Sequence, residues 1–183
     1  SDNVLIATYK GMAIRFPETD ARPMGRTARG VIGIRLDEGD YVVGMSIAQD
    51  DRTVLSVTEH GYGKRTQVGE YRLQHRGGSG IINIKTSERN GNVVSMMTVD
   101  DNDELVLVAT DGIVIRTSVK DIRTIGRNTQ GVTVMKPQEG ARVSAVAKAV
   151  PDDSEDDGVP GAEGESDVDD SSPDDVMDEG VEE

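Results

Sequence analysis

The chain has 183 residues and a formal net charge of −14 at pH 7, which by itself suggests a uniformly acidic protein. The charge is uneven, because all 20 lysines and arginines lie in residues 1–150, and that part has a small positive net charge. With no cysteine and 2 histidines, the composition excludes a disulfide framework, a cysteine nucleophile and a thiolate or histidine-rich metal site.

Residues 1–150 contain three copies of one pattern of short, β-prone apolar runs separated by glycine turns. The strands predicted in the first copy span residues 4–8, 12–16, 31–36 and 41–48. Those in the second copy span residues 54–58, 62–66, 81–86 and 93–99. Those in the third copy span residues 105–110, 113–117, 132–136 and 143–150. The pattern predicts an all-β, propeller-like array of about three four-stranded blades, formed by residues 1–48, 49–98 and 99–150.

Glycines and arginines recur at matching places in the copies, with a period of about 50 residues that is typical of propeller blades. One glycine of each copy lies between two strands, where a tight hairpin needs a positive φ, and another directly precedes a strand. These glycines are Gly11, Gly61 and Gly112, then Gly30, Gly80 and Gly131. The recurring arginines are Arg15, Arg65 and Arg116, then Arg22, Arg72 and Arg123, then Arg26, Arg76 and Arg127.

Arginine at equivalent positions of successive blades predicts a positively charged stripe. The guanidinium group binds phosphate oxygens in a bidentate fashion, and such contacts give affinity for a nucleic acid without reading its sequence. Around a curved array, the stripe favours a bent duplex, whose sequence preference comes from deformability. The residues therefore predict a module that binds and bends double-stranded DNA.

The repeated unit closely resembles the C-terminal domain of the DNA gyrase A protein and of its paralogue in topoisomerase IV. The resemblance covers residues 4 to about 148 and is carried by TEHGYGKRT, YRLQHRGGSGIINIKTSERNG and DIRTIGRNTQGV. It implies a β-pinwheel, a six-bladed variant of the propeller in which neighbouring blades exchange strands and DNA bends around the basic outer rim. Three repeats are about half of such a wheel, and the chain begins with Ser1. We therefore expect it to be a piece of a longer protein.

The family also carries a heptapeptide of the form QRRGGKG that is needed for wrapping. Residues 74–80 read QHRGGSG, a related copy in which a histidine and a serine stand in place of two bases. This segment and the acidic residues after position 150 favour gyrase over topoisomerase IV. The resemblance implies a holoenzyme that contains the gyrase B subunit together with a second A subunit. This holoenzyme uses ATP and Mg²⁺ outside this part of the chain for negative supercoiling.

The predicted DNA contacts lie on or beside the segments that connect the strands. They are Arg22, Arg26, Arg29, Lys64, Arg65, Arg72, Gln74, His75, Arg76, Lys85, Arg123 and Arg127. Lys64 and Arg65 are expected to be exposed. Arg22, Arg72 and Arg123 each follow an acid by two residues, so a local ion pair or the capping of a loop is the alternative role for this column. For the column that begins with Arg15, ion pairs at the blade joints are the alternative.

Other functions find less support in the residues. His75 is expected either to contact phosphate or to be an exposed bystander. No GxxxxGK[ST] motif and no acid-base or nucleophile-base pair at a useful spacing is present, so we expect no nucleotide site, no catalytic residue and no metal or cofactor site in this chain. A propeller that binds protein rather than DNA is the alternative function.

Residues 151–183 are rich in aspartate and glutamate and contain no lysine or arginine. Their high charge and scarcity of large apolar side chains predict a disordered acidic tail. Such a tail either weakens DNA binding or serves solubility alone. The sequence contains no apolar run near the ~20 residues that span a bilayer and no signal-like segment. We therefore expect a cytoplasmic, nucleoid-associated protein with no membrane partner.

Overall fold

A computed structural model describes residues 2–150, which fold into β-strands joined by turns and three short 3₁₀ segments. The strands of the first repeat are β1 (Asn3–Thr8), β2 (Met12–Pro17) and β3 (Val42–Ile47). Those of the second are β4 (Thr53–Thr58), β5 (Tyr62–Gln67), β6 (Ile81–Ile82) and β7 (Val93–Val99). Those of the third are β8 (Glu104–Ala109), β9 (Val114–Ser118), β10 (Val132–Thr133) and β11 (Val143–Lys148). The all-β, propeller-like prediction is confirmed.

The strands form three antiparallel sheets, and strands are exchanged between neighbouring repeats. The orders are β3-β1-β2-β6, β10-β5-β4-β7 and β11-β8-β9. Strand β6 belongs to the second repeat, yet it pairs with β2 of the first through Met12 and Ile82. In the same way β10 of the third repeat pairs with β5 of the second. Each of the first two sheets is thus completed by the repeat that follows it.

The exchange explains where the strand predictions are wrong. Residues 31–36 form no strand, and the equivalent β6 and β10 are shorter than the predicted 81–86 and 132–136. A strand at this place pairs only with the sheet of the preceding repeat. Within residues 2–150 the first repeat has no preceding sheet, so its copy of the segment has no backbone partner to make it a strand.

The apolar core lies between the sheets, as the two-faced apolar pattern of the strands requires. Strand β4 is buried along its whole length because sheets cover both of its faces. The first two repeats bury Leu5, Val54 and Met96 against each other, and the second and third do the same with Leu55 and Leu107. The buried aliphatic side chains therefore hold the repeats together rather than filling each one separately.

Hydrogen bonds also join the repeats near the β-hairpins that contain Gly11, Gly61 and Gly112; we call the side of the array that carries these turns the hairpin side. The Val93 N–H donates to the carbonyl of Tyr9 at 2.8 Å, and the Val143 N–H donates to the carbonyl of Glu59 at 2.8 Å. The Glu59 carboxylate accepts from the Tyr9 hydroxyl at 3.1 Å and from Arg142 Nη1 at 3.3 Å. One side chain thereby contacts all three repeats.

A buried polar cluster lies at the joint between the first two sheets. The Asn83 side chain accepts from the Tyr71 hydroxyl at 2.6 Å and donates to Ser56 Oγ at 2.9 Å. The three residues are fully or almost fully buried, so each polar atom needs a partner inside the protein. The cluster therefore holds Asn83, which follows β6, against β4.

Close backbone contact at the exchanged strands requires glycine. Gly80 has φ +75°, and a Cβ placed there would lie 2.3 Å from the carbonyl oxygen of Ala13 in the neighbouring sheet. Gly30 occupies the same place in the first repeat with φ +79°, but a Cβ there would meet nothing within 4 Å. The two glycines share a backbone conformation and differ in their surroundings.

The difference gives a matched test of the joint. We expect Gly30→Ala to lower the free energy of unfolding by about 1 kcal/mol, the cost of a positive φ for a residue with a Cβ. Gly80→Ala carries the same cost and also pushes β6 away from β2, so we expect a loss of about 3 kcal/mol or more. Urea unfolding of the two variants measures both. Equal losses would contradict a close contact at Gly80.

Candidate nucleic-acid interface

Three connecting segments, at residues 21–30, 71–80 and 122–131, follow the 3₁₀ turns Glu18–Asp20, Val68–Glu70 and Val119–Asp121. The first is exposed along its whole length. The second lies beside the chain that leaves the first, because the Gly77 N–H donates to Gly33 O at 2.6 Å and the Arg35 N–H donates to Gly78 O at 2.9 Å. The third contacts the second repeat, where the Lys85 N–H donates to Thr129 O at 2.9 Å. The segments therefore form one continuous surface.

The column that begins with Arg22 is exposed and does not pair with the preceding acids. Asp20 instead lies 3.6 Å from His75 Nδ1 and accepts from the Arg76 N–H at 3.4 Å. Glu70 likewise accepts from the Arg127 N–H at 3.3 Å. These acids thus position the backbone of the next repeat, and the local ion pairing considered for this column is absent from the described residues.

Arg76 and Arg127 are half-buried and join neighbouring repeats. Arg76 donates from Nε to Asp20 O at 2.8 Å and from Nη1 to Ile32 O at 3.0 Å. Arg127 donates from Nη1 to Ile82 O at 2.7 Å. Arg26, their equivalent in the first repeat, is exposed. The same sequence position therefore serves as a joint contact in two repeats and as a solvent-facing cation in the first.

The expected exposure of Lys64 and Arg65 is wrong. Lys64 is 0% exposed and donates from Nζ to Gly126 O at 2.7 Å and to Arg127 O at 2.5 Å. Arg65 is 7% exposed and donates from Nε to Ile122 O at 2.8 Å. Both lie on β5, which sequence alone cannot show to be covered by the segment of the following repeat. They support the third connecting segment from beneath rather than facing solvent.

Two of the three arginines on the strands, Arg15 and Arg65, form the ion pairs at the joints between repeats that were the alternative to DNA contact. Arg15 pairs with Asp50 at 2.6 Å and donates to Val68 O, and Arg65 pairs with Asp101 in the equivalent place. Both acids lie in the link to the following repeat. Arg116, the third member, is exposed and pairs with Glu104 of its own sheet.

The remaining predicted residues lie on the same surface. Arg29, His75 and Lys85 are exposed, whereas Gln74 is half-buried with no acceptor for its Nε2 among the described residues. The sequence prediction omitted Arg35, which is exposed beside Arg76 in a depression of about 400 Å³. Arg35 lies five residues after Gly30, as Lys85 and Lys136 lie five residues after Gly80 and Gly131. The repeat therefore marks this position as basic in all three copies, a signal that the sequence prediction used only for Lys85.

The surface is rich in cations that have no partner. Within residues 2–150 the following side chains make no hydrogen bond or ion pair: Arg22, Arg26, Arg29, Arg35, Arg72, Lys85 and Arg123. All of them are exposed. The three connecting segments contain no aspartate or glutamate, so only acids outside them offset this charge. The part of the chain that the structure describes contains no cluster of side chains able to hold a metal ion and no helix long and apolar enough to cross a membrane.

Comparisons with known proteins agree with this geometry. A family model described as the DNA gyrase C-terminal domain, beta-propeller, matches residues 2–49, 52–100 and 103–149. The DNA gyrase A protein of Haloquadratum walsbyi is 50% identical over 146 residues, which cover 79% of this chain and 17% of that protein. A solved DNA gyrase A C-terminal domain aligns with a TM-score of 0.75 and 29% identity over 81% of this chain and 51% of its own.

A solved C-terminal domain of DNA topoisomerase IV aligns as well, with a TM-score of 0.76 and 26% identity over 80% of this chain and 46% of its own. The chain thus spans about half the length of these solved domains and a much smaller share of the curated relative. Both solved domains are similar to it along nearly all of the described residues.

Burial of Lys64 generates a prediction about pH. Burial lowers the pKa of Lys64 from 10.5 to about 8, with a smaller contribution in the same direction from Arg127 and an opposing one from Glu70. The unfolded chain therefore binds more protons between pH 8 and 10.5, and stability rises with pH in that window. We expect the wild type to gain stability relative to Lys64→Met over this range, measured by urea unfolding. A difference that is independent of pH would contradict the low pKa.

Proposed function

The chain belongs to the DNA gyrase C-terminal domain family, and from this membership we propose that it binds duplex DNA along the surface of its connecting segments. The resemblance to the gyrase A domain, drawn from the repeated glycines and arginines, is confirmed as to family. DNA binding by this chain, the bending of DNA and the residues that contact it remain parts of the proposal.

One observation carries the proposal, namely the concentration of partnerless cations on adjacent connecting segments. An arginine that folding leaves without an acceptor keeps its full capacity to bind phosphate. Backbone phosphates match a surface of this kind because affinity comes from charge neutralisation and counterion release. Arg22 and Arg72 occupy equivalent places in successive repeats, so they repeat the contact along the surface.

The contacts between neighbouring repeats determine how the cations are arranged along the array. Arg76 and Arg127 hold the second and third segments against the preceding repeat through the carbonyls of Ile32 and Ile82. Because successive sheets are related by the same exchange, the cations advance with each repeat as the array turns. A duplex that follows them is bent, and its preferred sequences are those that bend easily. We infer binding by shape and backbone rather than by base contacts.

In the longer protein the proposed role is mechanical rather than catalytic. DNA held in a curve presents a neighbouring segment of the same molecule for strand passage, which is how the domain contributes to negative supercoiling. The gyrase B subunit, the second A subunit, ATP and Mg²⁺ belong to the holoenzyme and act outside these residues. The same proposal places the protein in the cytoplasm with the nucleoid.

Salt-dependent DNA binding tests the surface. Arg72→Gln combined with Arg123→Gln removes two exposed, partnerless cations, so we expect the slope of log K against log salt to become less negative by about 1.8, at about 0.9 for each lost contact. A control is Lys148→Gln, which removes a cation that lies on the edge strand β11 and pairs with Asp103. Fluorescence anisotropy with a labelled duplex measures all three.

The outcomes separate the two candidate functions. A double variant that keeps the wild-type slope would contradict the assignment of the surface. A wild-type chain that fails to bind duplex DNA at ~50 mM salt, where phosphate-driven affinity is high, would instead favour a protein-binding propeller.

The acidic residues 151–183 lie outside the described residues, and we propose that their charge weakens DNA binding. Negative charge tethered to a DNA-binding unit repels phosphates over a Debye length of ~8 to 10 Å at ordinary salt. We expect residues 1–150, which form one compact unit, to bind duplex DNA more tightly than the full chain, with a gap that narrows as salt rises. The control replaces each tail carboxylate by its amide. Equal affinities at low salt would leave solubility as the role of the tail.

A further inference from the structure

A second cationic site lies on the hairpin side of the joint between the second and third repeats. It is a depression of about 600 Å³, and residues from both repeats line it. The polar side chains that matter are His60, Tyr62, Arg89, Lys136, Gln138 and Arg142. Among residues 2–150, no aspartate or glutamate lines it. The wall therefore presents hydrogen-bond donors and positive charge.

The basic side chains are held in place and keep free donors. Arg89 lies 5.1 Å from the centre of the Tyr62 ring and donates from Nε to its hydroxyl at 3.3 Å, which leaves both terminal amino groups free. Arg142 donates from Nη1 to Glu59 at 3.3 Å and retains its other N–H groups. Lys136 is exposed and has no side-chain partner among the described residues. An anion with several oxygens matches these donors.

Side chains rather than the backbone make this site specific to one joint. Gly61 O accepts from the N–H groups of Val134 at 2.8 Å and Met135 at 3.1 Å, which anchors the loop that carries Lys136 against the hairpin, and Gly11 O accepts from Asn83 and Ile84 in the same way at the first joint. At the joint between the first two repeats, Lys10 and Met12 stand in place of His60 and Tyr62, and the Lys10 ammonium donates to the carbonyl of Glu38. The aromatic support and the free cations therefore occur together at the second joint.

The depression lies close to the proposed DNA surface. Strand β10 follows the third connecting segment directly and leads to Lys136, which lies five residues after Gly131 and so at most roughly 17 Å along the chain. A duplex that rests one strand on the connecting segments presents the phosphates of its other strand across a groove roughly 6 or 12 Å wide. The limit for Lys136 is of the same order as the wider groove, so one duplex can contact both the third connecting segment and the depression.

The geometry points to a second phosphate-binding site in this depression, which takes backbone phosphates of the opposite strand of the duplex. This inference rests on the proposed function and deepens it, because it adds the residues that engage the second strand. Arg89 and Lys136 bind the phosphates. Tyr62 positions Arg89, and Glu59 positions Arg142.

The test compares double-stranded with single-stranded DNA, using the full 183-residue chain. We expect Arg89→Gln combined with Lys136→Gln to make the salt slope for duplex binding less negative by about 1.8 and to lower duplex affinity about eightfold per lost contact at ~0.1 M salt. Single-stranded DNA has no opposite strand, so we expect a smaller loss of its affinity. The matched control is Lys148→Gln combined with Lys120→Gln, which removes two cations outside the depression.

Titration with pyrophosphate provides a readout that does not involve DNA. We expect saturable NMR shifts of the backbone N–H groups of residues 136 and 138–142 in the wild type and none in the Arg89→Gln, Lys136→Gln variant. Unchanged circular dichroism and urea midpoint exclude unfolding as the cause.

The measurements separate failure of the second phosphate site from failure of the proposed DNA binding. A variant that matches the control on duplex DNA, while the wild type binds, would overturn this inference and leave the proposed function standing. Equal losses on duplex and single-stranded DNA would overturn the assignment to the opposite strand. A wild type that binds neither form would overturn the proposed function and this inference together.

Discussion

The exchange of one strand between neighbouring repeats is the constraint on which the rest of the structure depends. Strand β6 completes the first sheet and β10 completes the second, so no repeat buries its outer edge by itself. The contact is close enough that Gly80 lies directly against the Ala13 carbonyl. Arg15 and Arg65 reinforce it with ion pairs and carbonyl contacts. In such an array stability comes from the interfaces between repeats.

The same exchange sorts the basic residues into two roles. A connecting segment must cross to the preceding sheet before its strand can pair, and it covers the residues beneath it as it does so. Lys64 and Arg65 are therefore buried under the third segment. Arg72 and Arg123, which lie on top of the segments, remain exposed. Folding thus gives Lys64 and Arg65 partners inside the protein, whereas Arg72 and Arg123 stay exposed to solvent.

The repeats are equivalent in topology but not in chemistry. The buried cluster around Asn83 lies at the first joint, and the cationic depression around Arg89 lies at the second. The strand exchange therefore recurs at both joints, whereas the polar side chains at the two joints differ. In the proposed complex with duplex DNA, such differences would set where along the array the duplex is held most strongly, and the periodic cations would set its path.

The sequence by itself determined the repeat, the all-β class, the hairpin turns and the family, because glycine and arginine columns report local backbone needs that recur with each repeat. It also located the exposed cations of the Arg22 column. Only the tertiary structure decided that residues 31–36 form no strand, that Lys64 is buried and that Arg35 lies beside Arg76. The physical reason is that each of these features depends on what a different repeat places beside it. The repeat in the sequence reveals which residues are equivalent, but not which of them another repeat contacts or covers in the folded chain.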